Sequence, residues 1–289
     1  MQKIVVTGSS GKAGRAVVKD LLAHDYEVRG VDLAAAPSGV DAPSLRADLT
    51  DLGQTLEVLL NADAVVHLAN IPAPGLYPPG RTFAENMTMN YNVFSAAVDL
   101  GLKRVVWASS ETTLGLPFDT PPRYAPVDEA HYPLPESSYA LSKVASEAVA
   151  EQFNRWSGIP FVGLRLSNIM TPDAYQLFPS YWADATLRKW NLWGYVDERD
   201  VAQACRVALT ADVLGSENFI IAAADTVMNR PSRELMSEVF PGVTVAEDLS
   251  EFGTLLAVDK ARRLLGYEPG HSWRDFVDEN HVNEGSAKK

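Results

Sequence analysis

Along the first half of the chain, short valine-rich apolar runs alternate with longer segments in which apolar residues recur every three to four positions. The runs are Lys3 to Val6, Glu27 to Val31, Ala64 to Leu68, Arg104 to Trp107 and Phe161 to Leu164. Apolar runs with no polar alternation predict strands buried on both faces, and hence a parallel sheet. Between them, Ala16, Val17, Leu21 and Leu22 share one helical face. Helical spacing also covers Glu85 to Leu100, most clearly from Asn92, and Ser137 to Trp156. Strand, helix, strand repeated over residues 1–165 predicts an α/β fold with a doubly wound parallel sheet and right-handed crossovers.

After Arg165 the rhythm breaks at Thr171-Pro172 and Phe178-Pro179, and Tyr175, Tyr181, Trp182, Trp190 and Trp193 crowd together. A helix over Arg199 to Leu209 and a strand over Asn218 to Ala222 return the chain to the sheet. Two further helices, Ser232 to Phe240 and Asp259 to Leu265, are predicted to open on capping residues. The division is therefore a ligand-binding α/β domain over 1–165, completed by about 200–224, and a small substrate-side lobe from 166–199 and 225–289. The polar end, Asn283 to Lys289, is expected to fray.

Composition narrows the function classes. The 289 residues carry 37 acidic and 25 basic side chains, a formal net charge of -12. That balance repels phosphate backbones, and no basic stripe offsets it, so nucleic acid is not expected as a partner. No run of about 18 apolar residues suggests a membrane span, and Met1 to Val6 runs directly into a strand. The single cysteine, Cys205, excludes an intrachain disulfide and agrees with a reducing, cytoplasmic setting. No His, Cys or carboxylate spacing suggests a metal, and His67, inside an apolar strand, reads as a buried structural histidine.

Chemistry enters at Thr7-Gly8-Ser9-Ser10-Gly11-Lys12-Ala13-Gly14, between the first strand and the first helix. Gly8 permits a tight turn, Gly11 lets backbone approach a pyrophosphate, and Gly14 brings helix and strand together. The helix start, with Ser10, Lys12 and Ala13, offers unpaired amides and partial positive charge to phosphates. Asp32 ends the second strand, about 20 residues on, where a carboxylate accepts from ribose hydroxyls and repels a 2′-phosphate. No arginine follows Leu33 to offset that repulsion, so NAD is expected over NADP. Asp48-Leu49, closing the third strand, reads either as an adenine contact or as a simple turn.

Tyr139 and Lys143 stand four apart near the start of a long predicted helix, on one face. A phenol is a poor base at its ordinary pKa, but a neighbouring ammonium and an oxidised nicotinamide both favour phenolate, which makes the pair a candidate proton shuttle. The fifth strand ends in Ala108-Ser109-Ser110, at the sheet edge where open α/β folds bind ligands. There a serine hydroxyl can meet the oxygen that gains or loses a proton.

With these motifs in order, the chain resembles the extended short-chain dehydrogenase/reductase superfamily, the NAD-dependent epimerase/dehydratase group. The likeness rests on TGSSGKAG at Thr7 to Gly14, VD at Val31-Asp32, DL at Asp48-Leu49, HLA at His67 to Ala69, SSETTLG at Ser109 to Gly115, YALSK at Tyr139 to Lys143, LRLSN at Leu164 to Asn168, and GYVDERDVA at Gly194 to Ala202. It implies a Rossmann fold that places Leu68, Ala69, Asn70 and Ala108 on NAD. Tyr139 is implied as the acid/base, Lys143 as its ribose-holding partner, and Ser110 as the group that orients the reacting oxygen. It further implies Asn86 as a support of the lysine through water, Asn168 as a substrate contact, and a homodimer through the two long helices. Departures are Leu114-Gly115 in place of a tyrosine-glycine pair, Thr112 as a second hydroxyl beside Ser110 and Glu111, and Asn70 where many relatives have a small residue.

The stretch between Asn168 and Gly194 is short, with Arg188 and Lys189 its only cations. A nucleoside diphosphate needs more enclosure and more positive charge, so a sugar, sugar acid or similar polyol is expected as substrate. Arg188 reads either as a partner for a sugar-acid carboxylate or as a solvated helix charge. The aromatic cluster reads either as a sugar-stacking wall or as core. The uronate dehydrogenase branch is similar in length, although Pro72 and Thr112 stand where it carries a serine and a histidine. The leading expectation is an NAD-dependent sugar dehydrogenase. A nucleotide-sugar epimerase or dehydratase that regenerates its NAD is the alternative, and a non-catalytic NAD sensor a lesser one.

Overall fold

The computed structural model describes residues 2–35 and 42–277, so the polar C-terminal end lies outside the described residues. Seven parallel strands form the central sheet: β1 (Lys3–Thr7), β2 (Glu27–Asp32), β3 (Ser44–Arg46), β4 (Ala64–His67), β5 (Arg104–Ser110), β6 (Phe161–Leu166) and β7 (Ser216–Ile221). Their spatial order is β7-β6-β5-β4-β1-β2-β3. The order reverses between β1 and β4, which pair in register from Ile4 with Ala64 to Thr7 with His67. A crevice opens at such a reversal, beyond the carboxyl ends of the strands.

The valine runs form strands because both faces of the sheet are covered. On one side lie α2 (Leu52–Leu59), α3 (Pro79–Asp99) and α4 (Ser138–Ser157), packed around Val5, Val65, Val105, Phe94 and Trp107. On the other lie α1 (Lys12–Ala23) and α5 (Glu198–Thr210), and Val6, Val66, Val106 and Val162 share that core with the aromatic residues of the second half. Tyr175, Phe178, Trp182, Trp193 and Tyr195 are all buried there. Most of the aromatic cluster is thus core rather than a sugar wall.

Several boundaries differ from the sequence reading. The third strand ends at Arg46, before Asp48, because Asp48 turns to accept from the amide and hydroxyl of Thr50 at 2.9 and 2.7 Å. The helix expected from Glu85 begins a turn and a half earlier, at Pro79, where proline is pre-shaped for a first helical position. The final helices α6 (Ser232–Val239) and α7 (Asp259–Leu265) have no side-chain caps. Ser232 is the first helical residue and donates instead to the carbonyl of Gly253 at 2.7 Å. Two small strand pairs escaped the pattern, Tyr124–Ala125 with Thr244–Val245 and Ile169–Met170 with Val196–Asp197, being too short to show a period.

Candidate active site

A cleft of about 1470 Å³ runs along the carboxyl edge of the sheet, from the β2 and β3 ends to the start of α4. Gly8, Ser10, Gly11, Lys12, Ala13, Gly14, Asp32, Asp48, Leu49, Leu68, Ala69, Asn70 and Ala108 all line it. So do Ser110, Glu111, Thr112, Tyr139, Lys143 and Asn168. Two expected site residues, Asn86 and Arg188, do not.

At the nucleotide end the backbone does the positioning. Gly8 has φ +68°, and a Cβ there would stand 2.7 Å from the amide nitrogen of Ala69. A Cβ on Gly14 would fall 2.1 Å from the carbonyl oxygen of Gly8, so only glycine lets α1 approach its loop. The α1 N-terminus carries neither a side-chain cap nor an acidic residue in its first turn, and it opens on the cleft. Its amides are therefore available to a pyrophosphate. Asp32 is set beside them, accepting from the amides of Ser10 and Ala34 at 2.9 Å each. This arrangement fits a dinucleotide. Asp48 also lines the cleft, but one carboxylate oxygen serves Thr50, as the turn reading holds.

At the other end the pleat of β5 separates its two serines. Ser109 donates to Glu147 at 2.6 Å, and Glu147 in turn holds Arg165 through two bonds of 2.9 Å. Ser110 lines the cleft together with Tyr139. It also accepts from the amide and hydroxyl of Thr112 at 3.2 and 3.0 Å. Thr112 therefore orients Ser110. Ser137 caps α4 through the Ala140 amide at 3.0 Å and fixes the helix start that carries Tyr139.

Lys143 Nζ lies 5.6 Å from the centre of the Tyr139 ring. It donates to Asn70 Oδ1 at 2.8 Å and to the carbonyl of Ala108 at 2.7 Å. Asn70 is fixed in its turn by Asn90 at 2.9 Å, and Asn90 by His67 at 2.9 Å. Buried His67, held down at about 3, stays neutral, and its other ring nitrogen meets Thr7 at 2.7 Å. Asn86 contacts the backbone of Ile71 in both directions, at 2.8 and 3.1 Å, and does not touch the lysine. The direct partners of Lys143 are thus Asn70 and the Ala108 carbonyl.

Electrostatics also depart from the sequence reading. Burial pushes the Tyr139 phenol up to about 12 and the Lys143 ammonium down to about 7. Ser110 pulls the phenol the other way, toward phenolate, and a bound nicotinamide cation would add to that pull.

Glu111 is buried beside Tyr139, and desolvation lifts it to about 7. It accepts from Ser167 at 2.5 Å and from Asn191 at 3.2 Å, joining three distant segments. Arg188 is neither a solvated charge nor a cleft residue. It is buried, donates to Asn191 and the carbonyl of Gly194 at 3.5 and 3.0 Å, and stacks 4.9 Å from the Trp190 ring. Trp190 does line the cleft, as do Tyr77, Arg81 and Glu136, which sequence reasoning missed. The proline-rich run before Arg81 was the available signal, since a structureless stretch after a strand end often borders a ligand.

Among the described residues no group of three or more His, Cys, Asp or Glu is placed to hold a metal. No helix among them is long and apolar enough to cross a membrane.

Comparison with known proteins agrees with this geometry. The NAD-dependent glucose-6-phosphate dehydrogenase of Haloferax volcanii is 27% identical over 198 residues, covering 63% of this chain and 75% of that one. The L-arabinose 1-dehydrogenase (NAD(P)(+)) of the same organism is 30% identical over 181 residues, covering 60% and 69%. The crystal structure of uronate dehydrogenase from Agrobacterium tumefaciens shares the fold, with a TM-score of 0.70 at 21% identity over 98% of this chain and 89% of that one. The model of the NAD dependent epimerase/dehydratase family matches residues 4–222. That match spans most of the chain, and the chain belongs to this family of NAD-dependent enzymes, within the extended short-chain dehydrogenase/reductases.

Proposed function

We propose that the protein is an NAD-dependent dehydrogenase that oxidises a hydroxyl of a free sugar or similar small polyol. The observation that carries this reading is the convergence of Ser110, Tyr139 and Lys143 at one end of a cleft whose other end is a dinucleotide cradle. Bound NAD supplies the hydride acceptor and a positive charge next to the phenol. Ser110, held by Thr112, orients the reacting hydroxyl, and Tyr139 takes its proton. Lys143 is placed by Asn70 and the Ala108 carbonyl to meet the ribose and steady the tyrosine. Asn168 and Trp190 border the space left for the sugar.

The substrate-side segment is the second support. Its buried aromatics fill the core, leaving Trp190 as the ring of that stretch that lines the cleft and can pack against a sugar. Incubation of the purified chain with NAD and free sugars is expected to accumulate NADH. Epimerisation of a nucleotide sugar with no net NADH would replace this reading by the cofactor-recycling one.

The paired helices α3 and α4 leave Tyr91, Leu141 and Trp156 exposed. A homodimer through this face is the expected assembly, and a monomer mass in light scattering would refute it. The lone buried thiol of Cys205 fits a cytoplasmic setting.

A further inference from the structure

Buried at the end of β4, His67 is joined to both halves of the cleft. Its Nδ1 lies 2.7 Å from the hydroxyl of Thr7, at the base of the glycine loop, and its Nε2 lies 2.9 Å from Asn90 Oδ1 on α3. Asn90 Nδ2 reaches Ser146 Oγ on α4 at 2.7 Å. The same Asn90 oxygen receives the Asn70 amide at 2.9 Å, and Asn70 Oδ1 receives Lys143 Nζ at 2.8 Å. Thr7, His67, Asn90, Ser146 and Lys143 are all buried. A polar group left unpaired there bears its full desolvation cost, so the sense of each bond matters.

That sense is fixed from two ends. An ammonium only donates, so Asn70 turns its oxygen to Lys143 and its NH2 group to Asn90. From the other end, Ser146 gives its one hydrogen to the Ser142 carbonyl at 2.7 Å and is left to accept from Asn90. Both constraints turn Asn90 the same way, with its NH2 group on Ser146 and its oxygen between Asn70 and His67. An amide oxygen only accepts, so His67 carries its hydrogen on Nε2. The bare Nδ1 then accepts from Thr7, whose oxygen accepts in turn from the Ala69 amide at 3.3 Å. Burial, and after it the Lys143 ammonium, oppose a charged ring. Glu147, one turn along α4, is a carboxylate that acts on the lysine.

We propose that His67 is a positioning residue for Lys143: locked as the neutral Nε2–H tautomer, it orients Asn90 and, through Asn90, the Asn70 amide that holds the lysine. An Nδ1–H ring would set its bare Nε2 against Asn90 Oδ1, acceptor against acceptor. Turning Asn90 over to relieve that contact would set its NH2 group against that of Asn70. Asn70 would reverse in its turn and present donors to the ammonium. Lys143 would then keep the Ala108 carbonyl and lose the second contact that fixes its direction beside Tyr139. Because the chain starts at Thr7, next to Gly8, it also ties the base of the glycine loop to the lysine. The tautomer rests on the geometry, and its consequence for turnover rests on the dehydrogenase reading above.

The test reads the ring nitrogens of the full chain by 15N NMR, with His67 assigned by the loss of its signals in His67→Gln. The expected ring has a protonated Nε2 and a bare Nδ1, unchanged from about pH 6 to about pH 8. An Nδ1–H ring, or one that gains charge in that range, would overturn the proposal. Asn90→Leu neither accepts nor donates. It is expected to shift the ring toward Nδ1–H, which can still donate to Thr7, and to lower kcat about 10-fold, the worth of one hydrogen bond, with KM for the sugar within about 2-fold. Asn90→Asp keeps the acceptor and is expected to restore the Nε2–H ring and most of kcat. Equal losses in the two variants, with Nε2–H retained in Asn90→Leu, would reduce Asn90 to packing and overturn the proposed chain. An Nε2–H ring in a parent chain that forms no NADH from any sugar would overturn the dehydrogenase reading and leave the tautomer and its hydrogen-bond chain standing.

Discussion

The two ends of the cleft are held by different kinds of contact. At the nucleotide end, backbone does most of the work: Gly8, Gly11 and Gly14 shape one loop, α1 presents bare amides, and Asp32 rests on two neighbouring amides. At the substrate end, side chains from remote segments hold one another. Glu111 joins Ser167 and Asn191, Asn70 joins Lys143 and Asn90, and Arg188 backs Trp190. The first end tolerates little change in shape, whereas the second can change its ligand by exchanging a few side chains. A common cofactor and varied substrates follow naturally from that contrast.

The sharpest test of the division is Tyr139→Phe, which removes the acid/base at the substrate end alone. It is expected to lower kcat about 1000-fold while the Kd for NAD, measured by titration, stays within about 2-fold. Full turnover in the variant would dissolve the catalytic assignment. At the opposite end, Asp32→Ala is expected to raise KM for NAD about 10-fold and bring NADP close to parity, with kcat nearly kept. If kcat fell instead, the two ends would not be separable.

Gly14→Val probes the shape constraint. With its Cβ 2.1 Å from the Gly8 oxygen, the substitution forces the loop away from α1. An overpacking cost of about 1–3 kcal/mol lowers Tm by several degrees in a thermal scan. An unchanged Tm with normal NAD binding would show that the loop accommodates side chains freely.

The smallest effect is expected from Glu111→Gln, read through pH. Burial raises Glu111 from 4.5 to about 7, so between those values the folded chain keeps a proton that the unfolded chain has released. The stability this group contributes is therefore present below its unfolded pKa and lost as pH rises through about 7. The amide that replaces the carboxyl does not titrate, so the Tm of the variant relative to the parent is expected to become more favourable from about pH 5 to about pH 8. A pH-independent difference would mean that Glu111 is ionised throughout.

Much of this was legible in the chain itself. The valine runs and their spacing place the sheet, and the glycine loop, Asp32, Tyr139 and Lys143 can be read from the chain because each belongs to a short motif with a fixed spacing. Asn86 and Arg188 could not be placed that way. Which way Asn86 turns depends on the rotation of α3 against the loop at Ile71. Arg188 looks solvated or substrate-facing until the turn at Gly194 folds over it.

Sequence alone pointed to the doubly wound fold, the loop proposed to hold NAD and the proposed catalytic pair, since each depends on periodicity or on groups a few residues apart. Only the tertiary structure decided the ionisation of Tyr139, Lys143 and Glu111, the support of the lysine by Asn70, and the withdrawal of Arg188 from the cleft. Those outcomes rest on desolvation and on contacts between residues 73, 80 and more positions apart, and no local pattern records how deeply a charge will be buried.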